Sequence, residues 1–452
     1  MASAAEQLAA HMNLGAFAKA TELKKRIWVT LAALIVYRVG TYIPLPGIDP
    51  VAIRDIFAQQ AGGILGMFNM FAGGALGRMT IFALNIMPYI SASIIMQLMA
   101  AVVPTLEALK KEGESGRKKI NQYTRYLTVV ITAVQAYALA VGLEGMQSNA
   151  GSAVIDPGFF FRFTAVVTLT GGTMFLMWLG EQITARGVGN GISLIIFAGI
   201  VAELPAALVG TLELGRTGAV STPMIVGLLV MALAVIFFIV FVERAQRRIV
   251  VQYPKRQQGT RMTGGESTHL PLKLNTSGVI PPIFASSVLL LPITIIGFAA
   301  GEGPGWLTTV AAYLGRGQPL YLLIYVSLIV FFAFFYTAVV FNPSDTADNL
   351  KKYGGFIPGI RPGRNTAEYL DRVLTRLTVV GAAYLALVCL LPEILISRFA
   401  VPFYFGGTSL LIVVTVTMDT VAQIQSHLLA HQYEGLIKKA KLRGASSKGG
   451  RR

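Results

Sequence analysis

Residues 62–103 form an apolar run that is too long for one bilayer crossing. About 20 apolar residues span the hydrocarbon core, and Gly73, Gly74, Gly77 and Arg78 interrupt the run near its middle. The part from about 80 to 103 is long enough to cross, which predicts a membrane helix preceded by a glycine-rich half-helix. Irregular backbone in a membrane must be enclosed by protein or face a water-filled cavity. We therefore predict that the first half folds into the protein beside a pathway.

The whole chain has the composition of a protein that crosses the membrane many times. Of its 452 residues, 54% are hydrophobic and only 13% are charged, with a mean hydropathy of +0.62; soluble domains carry about 25% charged residues. The first apolar segment follows a polar tail and lacks a cleavage site, which indicates a retained span. The predicted fold class is an all-α integral membrane protein with ten transmembrane helices. These lie at about 27–44, 80–103, 126–145, 162–180, 191–211, 222–242, 277–300, 319–341, 374–396 and 406–428.

The distribution of positive charge predicts the orientation. The chain has 38 Lys and Arg residues, and most lie in the tails, 1–26 and 429–452, and in the even-numbered loops. Because positively charged loops stay on the cytoplasmic side, we place both termini there. Attraction to anionic lipids is an alternative explanation for the charge of the two tails.

The ten segments divide into two halves at a short link. Five lie within 27–211 and five within 222–428, and the link is 212–221. An odd number of spans in each half predicts halves of inverted orientation. The link is then a natural hinge.

Two basic loops look more ordered than topology requires. Loop 243–276 contains β-prone runs around a Pro and Gly region, which predicts a protruding hairpin. Loop 342–373 has a helix-start pattern at Ser344 to Asp348, then Gly and Pro turns around Arg361. We interpret both as docking surfaces for a large cytoplasmic partner.

Motifs for catalysis or for a cofactor are missing from the sequence. It contains neither GxxxxGK[ST] nor HExxH, and its one cysteine, Cys389, permits no internal disulfide and no zinc cluster. The GVGNG motif at 187–191 has the wrong spacing for a nucleotide site, and we interpret it as a tight turn with Asn190 or Ser193 near a helix cap. We expect no enzyme activity, no cofactor and no metal.

Two charged residues lie inside predicted spans, Arg38 in the first and Asp419 in the tenth. A charge at the centre of a membrane helix costs about 2.5 to 3.5 kcal/mol on insertion scales, so each should be paired or face water. For Arg38 we favour a structural role, holding the folded-back segment, over coupling to transport.

The second span carries features of both a core helix and a gate. Ile86 and Ile90 share one face, on which core or lipid contact is the usual role, and Pro88 between them predicts a kink. Ser91 and Gln97 on this span, and Gln135 on the third, predict interhelical hydrogen bonds. Helices held by such weak contacts are able to part.

Ten sequence blocks, in one order, resemble the SecY family, the channel subunit of the bacterial protein translocase. They include RVGTYIPLPGID, MFNMFAGGAL, IMPYISASII, KKEGESGRKK, GNGISLIIFAGIV, ERAQRRIVVQYPKRQQG and NPSDTADNLKKYGGFIPGIRPG. The resemblance implies a clamshell of two halves around an hourglass pore, which opens to pass unfolded chains and opens sideways, between spans 2 and 3 and spans 7 and 8, to release apolar segments.

The resemblance also implies roles for particular residues. The pore ring would be Ile86, Ile90, Ile196, Ile283 and Ile412. The plug, about 62–76, would include Gly62, Ile64, Met67, Phe68, Asn69, Phe71, Gly73 and Gly74. The lateral gate would include Ser91, Gln97, Gln135, Ser286 and Ser287.

The implied partners are those of a translocase in the bacterial cytoplasmic membrane. The ATPase SecA or the ribosome would dock on Arg247, Arg248, Lys255, Arg256, Arg261 and Arg361. SecE and SecG would be membrane partners, and signal peptides and unfolded precursors the cargo. The alternative, a secondary transporter of a small solute, is disfavoured because polar groups at mid-membrane depth are scarce and such transport needs no large basic loops.

Overall fold

A computed structural model gives the fold of the chain. It describes residues 21–59, 69, 72–148, 151–217, 221–253, 256–258, 261–263, 267–299, 313, 318–399 and 407–448. Over these ranges the protein is mostly helical, with three small two-stranded sheets.

The helices and strands are numbered in chain order. The helices are α1 Thr21–Gly40, α2 Pro50–Gln59, α3 Met87–Val102, α4 Pro104–Lys111, α5 Glu114–Glu144, α6 Phe159–Arg186, α7 Gly191–Arg216, α8 Thr222–Arg244, α9 Ile280–Ala299, α10 Pro319–Val340, α11 Pro343–Lys352, α12 Arg364–Phe399 and α13 Gly407–Lys448. The strands are β1 Gln147–Ser148, β2 Gly151–Ser152, β3 Gln246–Gln252, β4 Arg256–Gln258, β5 Arg261–Thr263 and β6 Ser267–Lys273.

Long apolar helices make this a multi-pass membrane protein. Within the described ranges, seven helices are long and apolar enough to cross a membrane, or eight if α3 and α4, which meet at a bend of 97°, count as one span. The bend falls at Pro104, whose ring disfavours a helical conformation in the preceding residue. A helix overlaps each of the ten predicted segments, but ten crossings in two halves stays a prediction.

The predicted start of the second span is wrong. Helix α3 begins at Met87, and residues 72–86 form turns instead of helix. Met79 and Asn85 have positive φ angles of 44° and 49°, which a right-handed helix cannot contain. The kink predicted at Pro88 is also wrong, because Pro88 lies in the first turn of α3, where its missing N–H removes no helical hydrogen bond.

The predicted hairpin in loop 243–276 is confirmed. Strands β3 and β6 pair antiparallel from Gln246 opposite Lys273 to Gln252 opposite Ser267, and β4 and β5 form a second antiparallel pair. Burial alternates in the second half of β3, where Ile249 and Val251 are buried and Val250 between them is exposed, so one face of the hairpin is buried.

The helix and turns predicted in loop 342–373 are confirmed as well. The Asn342 side chain caps α11 by accepting a hydrogen bond from the Ser344 N–H at 3.1 Å. Beyond α11, three glycines with positive φ angles, Gly354, Gly359 and Gly363, form the turns around Arg361.

Candidate functional site

The five isoleucines of the expected pore ring come from four helices. Ile86 is the N-cap residue of α3, and Ile90 donates its N–H to the Ile86 carbonyl at 3.1 Å. Ile196, Ile283 and Ile412 each lie within the first two turns of their helix, α7, α9 and α13. Four of the five side chains are buried, Ile283 is half-buried, and all belong to one continuous apolar cluster. The structure therefore brings these residues into one core.

Part of the expected plug lies outside the described residues, namely Gly62, Ile64, Met67, Phe68 and Phe71. The described part is a tight set of turns closed by Asn69. Its carbonyl accepts the Gly74 N–H at 2.7 Å, and its side-chain oxygen accepts the Gly77 N–H at 2.5 Å.

Glycine is required at 73 for two reasons. Gly73 has a φ of 64°, and a Cβ added there would lie 3.0 Å from the Gly199 Cα of α7. A side chain at this position is therefore both strained and crowded. The folded-back segment packs directly against the backbone of α7.

Two arginines converge on the carbonyl of Gly73. Arg38 Nη1 and Arg78 Nη2 each donate to this oxygen at 2.8 Å. Their guanidinium groups also lie over the ring of Tyr42, at 5.0 and 4.4 Å from its centroid. Hydrogen bonds from charged donors contribute about 1.5 to 3 kcal/mol each. Arg38 therefore fixes the folded-back segment to the end of α1, and Arg78 stabilises the turn within the segment.

Helix α1 and the residues that directly follow it make two further hydrogen bonds to the folded-back segment. Tyr37 donates its hydroxyl to the Ala72 carbonyl at 3.3 Å, and Arg78 Nε donates to the Thr41 carbonyl at 3.2 Å. The sequence singled out Arg78 only as an interruption of the apolar run. The signal in the sequence was that Arg78 follows Gly73, Gly74 and Gly77 within five residues, which placed it beside the segment that Arg38 was expected to hold.

Asp419, the other charge expected inside a span, lies on α13 with its side chain exposed. It is therefore not enclosed in the helical core.

The expected lateral gate corresponds to the contact of α3 and α5 with α9. Here Ser287 Oγ lies 3.8 Å from Met87 Sδ, a weak hydrogen bond between α9 and α3. We call this contact, centred on Met87 and Ser287, the gate seam.

The prediction that Ser91 and Gln97 donate hydrogen bonds to another helix is wrong. Both side chains donate within their own helix, α3. Ser91 donates to the Met87 carbonyl of its own helix at 3.2 Å, and Gln97 donates to Ser93 Oγ at 3.3 Å. Serine hydroxyls in helices commonly reach the carbonyl one turn back. Gln97 Oε1 is buried with no hydrogen-bond partner among the described residues, and Gln135 is half-buried on α5.

The serines on the α9 side behave in the same way. Ser286 and Ser287 donate to the Ile283 carbonyl at 2.9 and 2.8 Å. Each serine hydroxyl at the gate seam therefore has a partner within its own helix.

The two basic loops form one structural unit. Gln252 and Phe356 exchange backbone hydrogen bonds at 2.9 and 3.0 Å, which joins the hairpin to the turns that carry Arg361. Ile249, Val251 and Leu272 of the hairpin share an apolar cluster with the second loop and the start of α12. The two loops are therefore joined both by backbone hydrogen bonds and by a shared apolar cluster.

The basic residues lie around this unit. Arg247, Arg248 and Arg361 are exposed, and the Arg361 carbonyl accepts a hydrogen bond from Thr366 Oγ1 at 3.0 Å. Arg256 and Arg261 belong to β4 and β5, and Lys255 lies outside the described residues.

Solved channel structures share this fold. One described as a protein conducting channel covers 90% of this chain and 93% of its own, with a TM-score of 0.66 at 19% sequence identity. Sec61 in the canine ribosome–channel complex from the endoplasmic reticulum covers the same shares, with a TM-score of 0.63 at 18% identity. The chain therefore shares its fold with these membrane channel structures.

The sequence comparisons identify the family within this class. The family model for SecY matches residues 80–421. The protein translocase subunit SecY of Escherichia coli strain K12 is 60% identical over 424 residues, covering 94% of this chain and 96% of the relative. That of Rickettsia conorii is 56% identical, covering 93% and 97%. The chain belongs to the SecY family.

Proposed function

We propose that this protein is the channel subunit of a protein translocase, which passes unfolded proteins across the membrane and releases apolar segments sideways into lipid. The observation that carries the proposal is the described end of the expected plug, residues 72–76, which lies in the apolar core against α7 and is held at the Gly73 carbonyl by Arg38 of α1 and by Arg78. A polar anchor on an otherwise apolar, glycine-rich segment suits a plug that must be held and also released. Full-length relatives named as protein translocase subunits support the same function.

The finer architecture is part of the proposal. Ten spans form two inverted halves, 27–211 and 222–428, hinged at 212–221. The protein lies in the bacterial cytoplasmic membrane with both termini in the cytoplasm, as the concentration of Lys and Arg on one side supports.

The five isoleucines would close the resting pore. Aliphatic side chains that meet at a dry constriction oppose the passage of ions and water, and they select against no particular polypeptide sequence. A signal peptide is instead recognised by apolar transfer through the gate seam, at about 0.8 kcal/mol per buried methylene.

Replacing Ile86 and Ile90 together by glycine tests this constriction. We expect a higher resting ion conductance in planar bilayers, because the dry contact is lost. The matched control replaces Ile94 and Ile329, which are buried elsewhere in the core, by valine. Unchanged conductance in the glycine variant would show that Ile86 and Ile90 do not form the constriction.

The two joined loops would be the docking surface for the ATPase SecA or the ribosome, with SecE and SecG as membrane partners and anionic lipids at the basic tails. We expect Arg361→Glu to abolish ATPase-driven translocation while the protein still inserts. Arg364→Glu is the control, because Arg364 is an exposed neighbour paired only with Glu368 of its own helix among the described residues. Normal translocation by the Arg361 variant would refute its docking role.

Reconstituted vesicles test the function as a whole. With SecE, SecG, SecA and ATP, a signal-bearing precursor should become protected from added protease inside the vesicles. If the precursor stays accessible while a small solute is carried, the secondary transporter is the correct alternative.

A further inference from the structure

The GVGNG motif at 187–191 forms the turn between α6 and α7, and two other helices hold it. The cap predicted at its end is confirmed, since Asn190 Oδ1 accepts the Ile192 N–H at 3.1 Å. The capping bond orders α7, but it does not account for the contacts that the rest of the turn makes with α1 and α13.

On one side the turn is bound to α1. The Val188 N–H donates to Thr30 Oγ1 at 3.0 Å, and the same hydroxyl donates to the Arg26 carbonyl at 3.0 Å. Thr30 and Val188 are both buried. Since Gly187 sits against Thr30 Oγ1, a Cβ at 187 would collide with it.

On the other side the turn is bound to α13. The Gly189 N–H donates to Gln423 Oε1 at 2.9 Å, between residues 234 positions apart. Gly189 adopts a φ of 90°, a conformation that favours glycine. Below this bond, Ile424 and Leu428 of α13 pack with Ile27 of α1 against buried Val188 and Leu23.

We propose that this turn is a clasp, defined as residues 187–190 with Thr30 and Gln423, that fastens the last helix to the first half of the protein. The inference rests on the proposed two-halved channel and adds the place where the halves do not separate. Through the clasp α13, which carries Ile412 of the pore ring, keeps its position relative to α1 and α7 while the gate seam opens. Thr30 and Gln423 are positioning residues for that motion.

The geometry supports a fixed contact. Separating α13 from the turn would leave the Gly189 N–H without its partner and would expose the apolar cluster of Val188 and Leu23. An unpaired buried donor costs about 1 to 3 kcal/mol, and the loss of apolar contact adds to it. Helix α13 also contacts α1 and α7 directly, so the clasp continues a wider interface with the first half.

Reversible cross-linking at the two contacts tests the clasp. In a Cys389→Ala parent, one variant carries Val188→Cys with Ile424→Cys, and the matched variant carries Met87→Cys with Ser287→Cys across the gate seam. Each is treated in vesicles with a short bis-methanethiosulfonate linker, and translocation of a signal-bearing precursor is measured before linking, after linking and after reduction.

We expect the clasp link to leave translocation at the rate of the unlinked protein and the gate link to abolish it until reduction. Loss of translocation on linking 188 to 424, with recovery on reduction, would overturn the clasp. Loss in the unlinked parent would instead contradict the proposed function.

A second measurement covers the case in which the cysteine pairs fold poorly. Compared with Gln425→Ala, Gln423→Ala should lower the rate of translocation. With the Met87→Cys and Ser287→Cys pair, the cross-linking yield differs between closed channels and channels that hold a precursor, and Gln423→Ala should make that difference smaller. Equal behaviour of the two alanine variants would overturn the clasp.

Discussion

The gate seam and the proposed clasp join helices by opposite means: the gate seam joins α3 to α9, and the clasp joins α13 to the turn between α6 and α7. At the gate seam the hydrogen bond across the contact is from Ser287 to the Met87 sulfur at 3.8 Å, and the serines nearby are paired within their own helices. At the clasp a backbone N–H meets an amide oxygen at 2.9 Å. The two contacts therefore differ in what their opening would leave unsatisfied.

Among the described residues, opening the gate seam leaves few polar groups without a hydrogen-bond partner. Ser91, Ser286 and Ser287 keep their carbonyl partners after α3 and α9 separate, and the apolar remainder can be covered by lipid or by a signal peptide. Opening the clasp leaves the buried Gly189 backbone N–H without its partner. The comparison shows that hydroxyl groups bonded within one helix suit a contact that must part, whereas bonds between elements suit one that must hold.

The largest expected effect comes from replacing Gly191, the first residue of α7, which directly follows the clasp. In Gly191→Ala the new Cβ would collide with the Gly180 carbonyl of α6, a backbone atom that cannot move aside cheaply. We expect little folded protein to accumulate in the membrane. Gly210→Ala is the control, since a Cβ there meets nothing within 4 Å.

Accumulation is measured by immunoblot of membrane fractions, and folding by thermal unfolding in detergent. If Gly191→Ala accumulates and unfolds like Gly210→Ala, the close contact between α7 and α6 does not require glycine at 191.

The sequence predicted well those elements whose signals are local. The hairpin of loop 243–276, the helix in loop 342–373 and the cap at Asn190 depend on β-prone runs, on helix-start side chains and on Gly or Pro turns within a few residues. Local patterns of this kind are sufficient because their hydrogen-bond partners are close in sequence.

The sequence failed where the decisive partner is distant. Apolar residues from Thr80 onward look helical, but the Leu45 N–H bonds to the Met79 carbonyl and the Ile81 N–H to the Ile43 carbonyl, and these contacts hold the segment in turns. The role of Arg78 depends in the same way on Gly73 and Tyr42. Family resemblance suggested the ring isoleucines, and periodicity alone gave them only a core position.

An intermediate effect is expected when Thr30 loses its hydroxyl, and with it the bond from Val188 and the bond to the Arg26 carbonyl, without a change of volume. Thr30→Val removes the hydroxyl that accepts from the buried Val188 N–H. We expect the free energy of unfolding to fall by about 1 to 3 kcal/mol, the cost of an unpaired buried donor. Thr164→Val is the control, because its hydroxyl bonds only the Phe160 carbonyl of its own helix at an exposed site among the described residues.

Unfolding is followed by denaturant titration in detergent, with near-ultraviolet circular dichroism. Equal losses in Thr30→Val and Thr164→Val would mean that the bond between α1 and the turn contributes nothing beyond a hydroxyl within a helix.

The smallest effect is expected at the gate seam itself. Ser287→Ala removes a hydroxyl whose contact across the seam is a weak one to sulfur, and it leaves no partner seriously unsatisfied, because the Ile283 carbonyl also accepts from Ser286. We expect the free energy of unfolding to fall by less than in Gln423→Leu, measured in the same titration. A loss in Ser287→Ala as large as that in Gln423→Leu would mean that the two contacts hold equally, and the distinction between a contact that parts and one that holds would then fail.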